Sequence, residues 1–291
     1  MSERDEFTSR VGIMQGRLVP PEPGRFQSFP RTRWRDEFPL AAAANLEAIE
    51  WIYDEFGAGQ NPIASDAGIA ELGTLSGRYG VAVVSLCADY FMDRPIVRVT
   101  EEVLADLVAR LYWLIERCHR AGIGRIVIPF VDAAKIETAE HEERVLALLQ
   151  DVLPFAQLAG VEIHLETALG PAEFARFLAR LPHPMLKVNY DAGNSASLGY
   201  RPQDELAAYG KRIGSVHVKD RLLGAGTVPL GTGNADLPAL FAGLRRLGYR
   251  GDYVLQAARG DAGDEMSLGK CNAAFVRESI ERAAATSEAA H

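Results

Sequence analysis

Four short segments of this sequence carry polar side chains that could hold a divalent metal ion. They are "HLETA", "NYDAGN", "SVHVKD" and "VLQAA", and each continues or ends an apolar run of the kind that forms a β-strand. The donors would be three oxygens and one imidazole, from Glu166, Asp191, His217 and Gln256. Such a set suits Mn²⁺, Mg²⁺ or Co²⁺, and Zn²⁺ also accepts it. The sequence therefore predicts one metal site assembled from four segments.

Strand geometry adds three polar side chains to this prediction. Side chains two residues apart on a strand face the same way. His164, Asn189 and Lys219 each stand two residues from one of the predicted ligands. Taken singly, Glu166 could cap a helix, Asp191 could shape a turn, and the histidine could sit hydrogen-bonded in a core. Their joint placement near the ends of successive strands favours the metal site.

The elements that would position these residues are short strands alternating with amphipathic helices. Apolar runs predict eight strands, over 10–18, 46–54, 81–89, 124–132, 161–168, 186–194, 214–221 and 253–260. A glycine suited to a helix C-cap precedes four of them, at Gly80, Gly122, Gly160 and Gly251. Eight βα units in a chain of this length predict an α/β protein of the (β/α)8 TIM barrel class.

The expected organisation is a single barrel domain over 1–291, with a long loop after the first strand and a C-terminal helix. The loop covers about 18–35 and the helix about 264–288. A doubly wound open sheet is the competing architecture, but no GxGxxG follows an early strand. The glycine-rich "GAGTVPLGTG" lies after the seventh strand, with the wrong spacing for a dinucleotide loop. In a barrel the C-terminal strand ends meet at one mouth, so the predicted ligands would converge there.

Composition narrows the function classes. The chain has 291 residues and a formal net charge of −8, which argues against a nucleic-acid-binding face. No apolar run approaches the roughly 20 residues that span a bilayer. The start "MSERDEFTSR" is charged and has no apolar core, so it does not predict a signal peptide. Cys87, Cys118 and Cys271 fit no disulfide framework, and a cytoplasmic protein with free thiols is expected.

The same segments resemble a known family, the xylose-isomerase-like TIM-barrel sugar isomerases and epimerases, often labelled sugar phosphate isomerase/epimerase. "HLETA", "NYDAGNSASLGY" and "SVHVKDR" followed by "VPLGTGNAD" carry the resemblance, which covers essentially the whole chain. The opening "GIMQGRL" is similar to the branch near the L-ribulose- and L-xylulose-5-phosphate 3-epimerases. The resemblance implies one divalent metal and a homodimer or homotetramer. Carried over by position, its ligands are Glu166, Asp191, His217 and Gln256.

Gln256 departs from the pattern of the ketose 3-epimerases in that family, where the first and last ligands are both glutamates that do acid–base work. An amide can give its carbonyl oxygen to a metal, but it cannot take a proton at neutral pH. Glu166 is then the expected general base, abstracting a proton next to a metal-bound carbonyl through an enediolate. Lys219 and His164 are the candidates for a second proton carrier.

Basic residues around the predicted mouth favour a sugar phosphate or sugar acid over a neutral sugar. Arg17 opens the long loop, and Arg221 and Arg259 follow the seventh and eighth strands, where TIM barrels often bind phosphate. Glu50, on the second strand, could bind a substrate hydroxyl or pair with a basic neighbour. Asn189 and Asn194 complete the predicted substrate-binding set.

These expectations describe a divalent-metal-dependent isomerase or epimerase of a keto-sugar or sugar phosphate. A metal-dependent dehydratase or lyase of a keto-sugar or cyclitol is the second interpretation, since the same enolate chemistry would serve loss of water. A non-catalytic sugar-binding protein is the third, because Gln256 replaces a catalytic glutamate. Phe26, Phe29 and Trp34 in the long loop could cover a substrate or meet a second subunit.

Overall fold

Eight short strands form the centre of the protein. The computed structural model describes residues 9–288, and the charged segment 1–8 discussed above lies outside the described residues. The strands are β1 (Val11–Met14), β2 (Ala48–Ile52), β3 (Ala82–Cys87), β4 (Arg125–Phe130), β5 (Glu162–Thr167), β6 (Leu186–Asp191), β7 (Ile213–Val218) and β8 (Tyr253–Leu255). They pair in parallel and close into a barrel in the order β1-β8-β7-β6-β5-β4-β3-β2. All eight predicted strands are confirmed, each shorter than its predicted range.

Helices surround the barrel and connect its strands. Their bounds are Glu37–Ala43, Asp66–Tyr79, Tyr90–Asp93, Glu101–Ala121, Ala139–Ala159, Pro171–Arg180, Ala192–Leu198, Pro202–Tyr209, Leu237–Arg246 and Glu265–Glu288. Leu107, Leu111 and Leu114 on the long helix before β4 face the barrel and are fully buried, as their helical spacing predicts. Within residues 9–288, the helices are all too short or too polar to cross a membrane.

Glycines end the helices that precede three of the strands, as predicted. Gly80, Gly122 and Gly160 adopt φ angles of 67°, 71° and 67°, a left-handed conformation that suits a residue without Cβ. The prediction for Gly251 was wrong. The helix before β8 ends earlier, and Gly248 takes the left-handed conformation there, with φ of 70°.

The inside of the barrel is polar where most barrels are filled by branched apolar side chains. Six of its side chains are polar and no more than 2% exposed: Glu50, Ser85, His164, Asn189, Ser215 and His217. A register shift between Ile49 and Glu50 sets Glu50 beside Ser85, and Asp191 pairs with His217 across β6 and β7. Buried polar groups need hydrogen-bond partners, so these side chains must be arranged around one another.

The long loop after β1 packs against the outside of β2. Phe29 and Trp34 lie 5.8 Å and 5.7 Å from Trp51, measured between ring centroids, and both are buried. These two aromatic residues are therefore part of the core of their own chain, and they are not available to a second subunit. Phe26 differs, since 56% of it is exposed at the tip of the loop.

Two glycines of the helix Asp66–Tyr79 provide a test of how that helix packs against the segment before it. A Cβ at Gly68 would overlap the carbonyl oxygen of Pro62, whereas a Cβ at Gly73 would meet nothing within 4 Å. We expect Gly68→Ala to lower the free energy of unfolding by about 1–3 kcal/mol, because the clash is with backbone. Gly73→Ala should raise it by about 0.5–1 kcal/mol through helix propensity. Urea denaturation of both variants measures this, and equal stabilisation by the two would contradict the described packing.

Candidate metal centre

Three of the four predicted ligands meet at the C-terminal mouth of the barrel. Glu166, Asp191 and His217 are buried and each offers a ligand atom within 4.8 Å of the others. Nδ1 of His217 lies 3.1 Å from Oε2 of Glu166 and 3.8 Å from Oδ2 of Asp191. Two carboxylates and an imidazole nitrogen thus face one point, which is the chemistry of a divalent-cation site.

The second nitrogen of His217 decides whether a cation fits there. Nε2 is 2.6 Å from Oε1 of Glu50, and the other oxygen of Glu50 accepts a 2.7 Å bond from Ser85 Oγ. A carboxylate at Nε2 favours the tautomer with its proton on that nitrogen, which leaves the lone pair of Nδ1 facing Glu166 and Asp191. A lone pair facing two carboxylates is repelled unless a cation lies between them. The donor set therefore fits a divalent metal.

The pKa shifts of the cluster show the same demand for positive charge, which either a second proton on His217 or a cation at Nδ1 can meet. Burial lowers the pKa of His217, but the charge of Glu50 and the contacts with Asp191 and Glu166 outweigh it, so this pKa lies well above its ordinary value. Burial opposes ionisation of Asp191, yet Lys219 and His217 hold the pKa of that carboxyl below its ordinary value. The cluster is thus an ionised, anionic site that attracts positive charge.

Two asparagines hold the general base predicted from the sequence. Asn194 Nδ2 donates to Oε1 of Glu166 at 2.6 Å, and Asn189 Nδ2 donates to Oε2 at 2.9 Å. Asp191 also fixes Asn194, because its Oδ1 accepts the Asn194 N–H at 2.8 Å and so caps the helix Ala192–Leu198. The start of this helix therefore positions Asp191, a predicted ligand, and Asn194, which orients Glu166.

Gln256 lies one residue beyond β8, where its N–H donates to the carbonyl of Val218. Its side-chain Oε1 accepts a 3.1 Å bond from Lys219 Nζ, and its Nε2 donates to Gln27 Oε1 at 3.1 Å. The same Lys219 ammonium is 3.2 Å from Oδ2 of Asp191. The fourth predicted ligand thus contacts the cluster through Lys219.

His164 lies deeper in the barrel than the cluster. Its Nδ1 is 2.7 Å from Ser215 Oγ and its Nε2 is 2.9 Å from Oε2 of Glu162, at the start of β5. Residues two apart on a strand share a face but are separated by about 6–7 Å along it. The structure therefore does not bring His164 to the mouth. Burial also lowers its pKa.

The predicted substrate groups Glu50 and Asn189 are likewise occupied inside the barrel. Both oxygens of Glu50 are bonded to His217 and Ser85. Asn189 accepts from Ser215 Oγ at 2.6 Å and donates to Glu166, and its Nδ2 lies 3.0 Å from His217 Nδ1. In this arrangement the two residues orient the ligands, and neither presents a free atom to the mouth.

Arg17 and Arg259 hold the loop after β1 over the mouth of the barrel through hydrogen bonds. Arg17 donates to the carbonyl of Phe26 at 3.2 Å and to Gln27 Oε1 at 3.0 Å. Arg259 donates to the carbonyls of Phe26 and Gly16 at 2.9 and 2.6 Å. Burial, followed by the charge of Arg259, lowers the pKa of Arg17 to about 9. Within the described chain neither guanidinium has a carboxylate within 4 Å, so their charges are not neutralised by ion pairs.

Gln27 and Asp89 were missed by the sequence analysis. Gln27 donates to Oδ2 of Asp89 at 2.8 Å and accepts from Arg17 and Gln256, so it bridges the ends of three strands. Burial raises the pKa of Asp89 to about 6. Asp89 ends the third predicted strand, so the strand-end argument could have found it. Gln27 sits in an irregular loop, where no periodicity indicates which side chain turns inward.

The glycine-rich loop after β7 is organised by the chain itself. Asp220 is fully buried, and its carboxylate accepts the N–H groups of Gly231, Gly233 and Ala235 at 2.9, 2.8 and 3.0 Å. Those N–H groups are therefore not free to bind a phosphate. Arg221, next along the chain, donates to Oδ1 of Asn194 at 2.9 Å and so touches the rim of the cluster.

Comparison with known proteins agrees with this architecture. The family model described as Xylose isomerase-like TIM barrel matches residues 38–270. The L-ribulose-5-phosphate 3-epimerase UlaE of Shigella flexneri serotype 5b (strain 8401) is 28% identical over 190 residues, which span 61% of this chain and 65% of that protein.

Solved structures give the same fold. An L-ribulose 3-epimerase structure superposes with a TM-score of 0.78 at 20% identity, covering 97% of this chain and 98% of that one. A xylose isomerase-like TIM barrel protein from Mycobacterium smegmatis, in complex with magnesium, superposes with a TM-score of 0.70 at 16% identity. That match covers 95% of this chain and 98% of the other. The predicted barrel class is confirmed.

Glu37 anchors the start of the loop that covers the mouth. Its Oε1 accepts the Gly16 N–H at 2.6 Å, while its Oε2 is buried without a protein partner in the part of the chain that the structure describes. Burial raises the pKa of Glu37 to about 8, although the N–H groups of Gly16 and Leu18 oppose the shift. The folded protein therefore keeps a proton on Glu37 that the unfolded chain releases above its ordinary pKa of 4.5.

We expect this proton to make stability depend on pH. Because the pKa of Glu37 is higher in the folded state, its contribution makes the free energy of unfolding fall as pH rises from about 4.5 to about 8. Glu37→Gln cannot ionise and should flatten that part of the profile, measured by urea denaturation at pH 5, 6, 7 and 8. Glu71→Gln, at an exposed carboxylate paired with Arg35, is the matched control. A profile that Glu37→Gln leaves unchanged would show that Glu37 is ionised in the folded protein.

Proposed function

Since this chain belongs to the xylose isomerase-like TIM barrel family, we propose that it is a divalent-metal-dependent isomerase or epimerase of a keto-sugar or sugar phosphate. The observation that carries the proposal is the buried group of Glu166, Asp191 and His217 at the barrel mouth. Epimerases of ribulose and of ribulose 5-phosphate among its relatives favour a ketose as the substrate.

The residues that would hold the ion are Glu166, Asp191, His217 through Nδ1, and Gln256 through its amide oxygen. This set is compatible with Mn²⁺, Mg²⁺ or Co²⁺, and with Zn²⁺. When bound, such an ion supplies Lewis-acid stabilisation of the negative charge that develops on a substrate carbonyl oxygen. Glu50 fixes the imidazole in the orientation that this role requires.

Glu166 is the group that we assign as general base. A proton on the carbon beside a carbonyl is acidic enough for a positioned carboxylate to remove it, and the product is an enediolate. The bonds from Asn189 and Asn194 keep both oxygens of Glu166 in place.

The second proton carrier separates isomerisation from epimerisation. Gln256 cannot serve, and His164 is bonded within the barrel to Ser215 and Glu162. Lys219 is the remaining predicted carrier, and its ammonium lies beside the Gln256 amide. Glu166 acting alone suits a hydrogen shift on one face of the substrate, as in an aldose–ketose isomerase. Glu166 together with Lys219 suits proton exchange on two faces.

The two arginines that hold the loop after β1, Arg17 and Arg259, support an anionic substrate. Arg17 and Arg259 have no carboxylate within 4 Å among the described residues, and they border a cavity of about 120 Å³ beside the last helix, which Asp261 and Glu265 also line. That volume suits a phosphate or carboxylate group. Arg17 also reaches Gln27, which contacts Gln256, so the anionic group would lie near the ligand cluster. Arg221 would reach the substrate from the opposite rim, beside Asn194.

Loss of water is the second candidate reaction, and Lys219 is the feature that favours it. An ammonium beside the cluster could protonate a leaving hydroxyl group after Glu166 has removed the neighbouring proton. A non-catalytic sugar-binding protein is the third candidate, because of the amide at Gln256. Incubation with ketoses in D₂O separates the three: an isomerase or epimerase incorporates deuterium, a dehydratase loses water, and a binder does neither.

Replacement of the proposed base tests the proton transfer. Glu166→Gln should lower the rate of solvent deuterium exchange into a ketose phosphate by about 10²–10⁴-fold while the protein still binds Mn²⁺. Exchange is followed by NMR across a panel of keto-sugars and their phosphates. Glu173→Gln, at a helix start outside the barrel, is the matched control and should keep wild-type activity. Full exchange in Glu166→Gln would remove this residue from the chemistry.

Replacement of His217 tests whether the protein binds a divalent ion through this imidazole. Wild-type protein, incubated with Mn²⁺ and desalted, should retain about one ion per chain by elemental analysis, because three donors meet at one point and the nearby Gln256 amide oxygen can supply a fourth. His217→Ala should retain none, since it removes Nδ1 and leaves Glu50 unpaired. His119→Ala, on an outer helix, should match the wild type. Equal Mn²⁺ content in His217→Ala and the wild type would exclude the proposed ligand set.

A further inference from the structure

A positive charge of the chain itself lies within the proposed ligand set. The ammonium of Lys219 is 3.2 Å from Asp191 Oδ2, 3.1 Å from Gln256 Oε1 and 3.3 Å from Asn194 Oδ1. Two of those oxygens belong to residues that would also hold the divalent ion. A lysine nitrogen and a metal ion both need these acceptors, so their demands on Asp191 and Gln256 conflict.

The backbone is shaped to keep Lys219 in that place. A Cβ on Gly193, in the first turn of the helix Ala192–Leu198, would come within 2.5 Å of Cγ of Lys219 and 3.0 Å of its Cβ and Cδ. Glycine at 193 therefore makes room for the aliphatic stem of the lysine. The side chain of Lys219 is only 12% exposed. Packing of the stem against Gly193 and three hydrogen-bond acceptors thus place the ammonium beside Asp191 and Gln256.

The charges of the cluster are matched to this arrangement. Glu50, Glu166 and Asp191 together with Lys219 leave a formal charge of −2 when His217 is neutral, as it must be to hold an ion through Nδ1, and one divalent ion balances that charge. A glutamate in place of Gln256 would make that charge −3 and would form a full ion pair with Lys219. Buried charge is costly unless it is balanced, so an amide at 256 and an ammonium at 219 suit each other.

We propose that Lys219 is a built-in competitor of the divalent ion: it shares Asp191 and Gln256 with the ion and lowers the affinity of the site for it. This inference rests on the proposed metal-dependent function. Lys219 acts here through the ligands, as a positioning residue that sets how tightly the ion is held. A lysine that only ordered the ligands would have the opposite effect, because its removal would weaken binding.

The dissociation constant of Mn²⁺ distinguishes these two roles. It is measured by the EPR signal of free Mn²⁺ on chelator-stripped full-length protein. Lys219→Met keeps the length of the stem over Gly193 and removes the charge, so it should tighten Mn²⁺ binding by about tenfold or more. Lys219→Gln should act in the same direction if the methionine variant does not fold. Lys135→Met, at an exposed lysine paired with Glu137, is the matched control and should leave the constant unchanged.

A double-mutant cycle with Gln256→Glu tests the pairing. In the wild-type background the new carboxylate is partly neutralised by Lys219, whereas in the Lys219→Met background it is free to bind the ion. Gln256→Glu should therefore tighten Mn²⁺ binding at least about fivefold more when Lys219 is absent. Equal effects in the two backgrounds would show that 219 and 256 are independent, which contradicts the proposal.

The outcomes separate this inference from the proposed function. Mn²⁺ binding by the wild type with an unchanged or weaker constant in Lys219→Met overturns the competition and leaves the proposed metal site intact. Binding that appears only when Lys219 is removed supports the competition at its strongest. Absence of Mn²⁺ binding in the wild type, in Lys219→Met and in Gln256→Glu alike overturns both.

Discussion

The imidazole of His217, buried between carboxylates, is the interaction on which the rest of the site depends. Glu50 holds Nε2 at 2.6 Å, and Glu166 lies 3.1 Å from Nδ1, where the ring and Glu50 are fully buried and Glu166 is nearly so. Buried carboxylates on both sides of a ring are stable only if positive charge is supplied among them. The polar barrel interior follows from this need: Ser85 donates to the remaining oxygen of Glu50, and Asn189 donates to the Glu166 oxygen that faces the ring.

The loops at the mouth hold the rim of this buried network in two different ways. The loop after β1 is anchored by Glu37 at Gly16 and clasped by Arg17 and Arg259, which brings Gln27 over the ligands. The loop after β7 is tied by its own Asp220. The β1 loop thus carries Arg17, which with Arg259 forms the proposed anion site, whereas the N–H groups of the β7 loop are bonded to Asp220.

The amide at Gln256 affects the chemistry of the proposed site more than its ability to bind an ion. It leaves an oxygen for a metal ion, removes one base, and lowers the anionic charge that a family member with glutamate would carry. Lys219 then becomes both the competitor for the ligands and the remaining candidate for a second proton carrier. These roles are compatible, because an ion that takes Asp191 and Gln256 would release the ammonium from both. The affinity for the ion and the availability of the acid are coupled through the same two oxygens.

The sequence by itself determined the eight strands, the barrel class, and the residues that stand near the C-terminal strand ends. Those features are local, since they follow from apolar periodicity, helix caps and the two-residue repeat of a strand. Only the tertiary structure decided how deep each side chain lies in the barrel and which residues it contacts. Periodicity indicates the face of a strand but not the layer, so His164 was grouped with Glu166 although it pairs with Ser215 below the mouth. Glu50 reaches His217 from across the barrel, and Gln27 arrives from an irregular loop. Contacts of that kind depend on the stagger of closed strands and the path of a loop, which no spacing along one segment encodes.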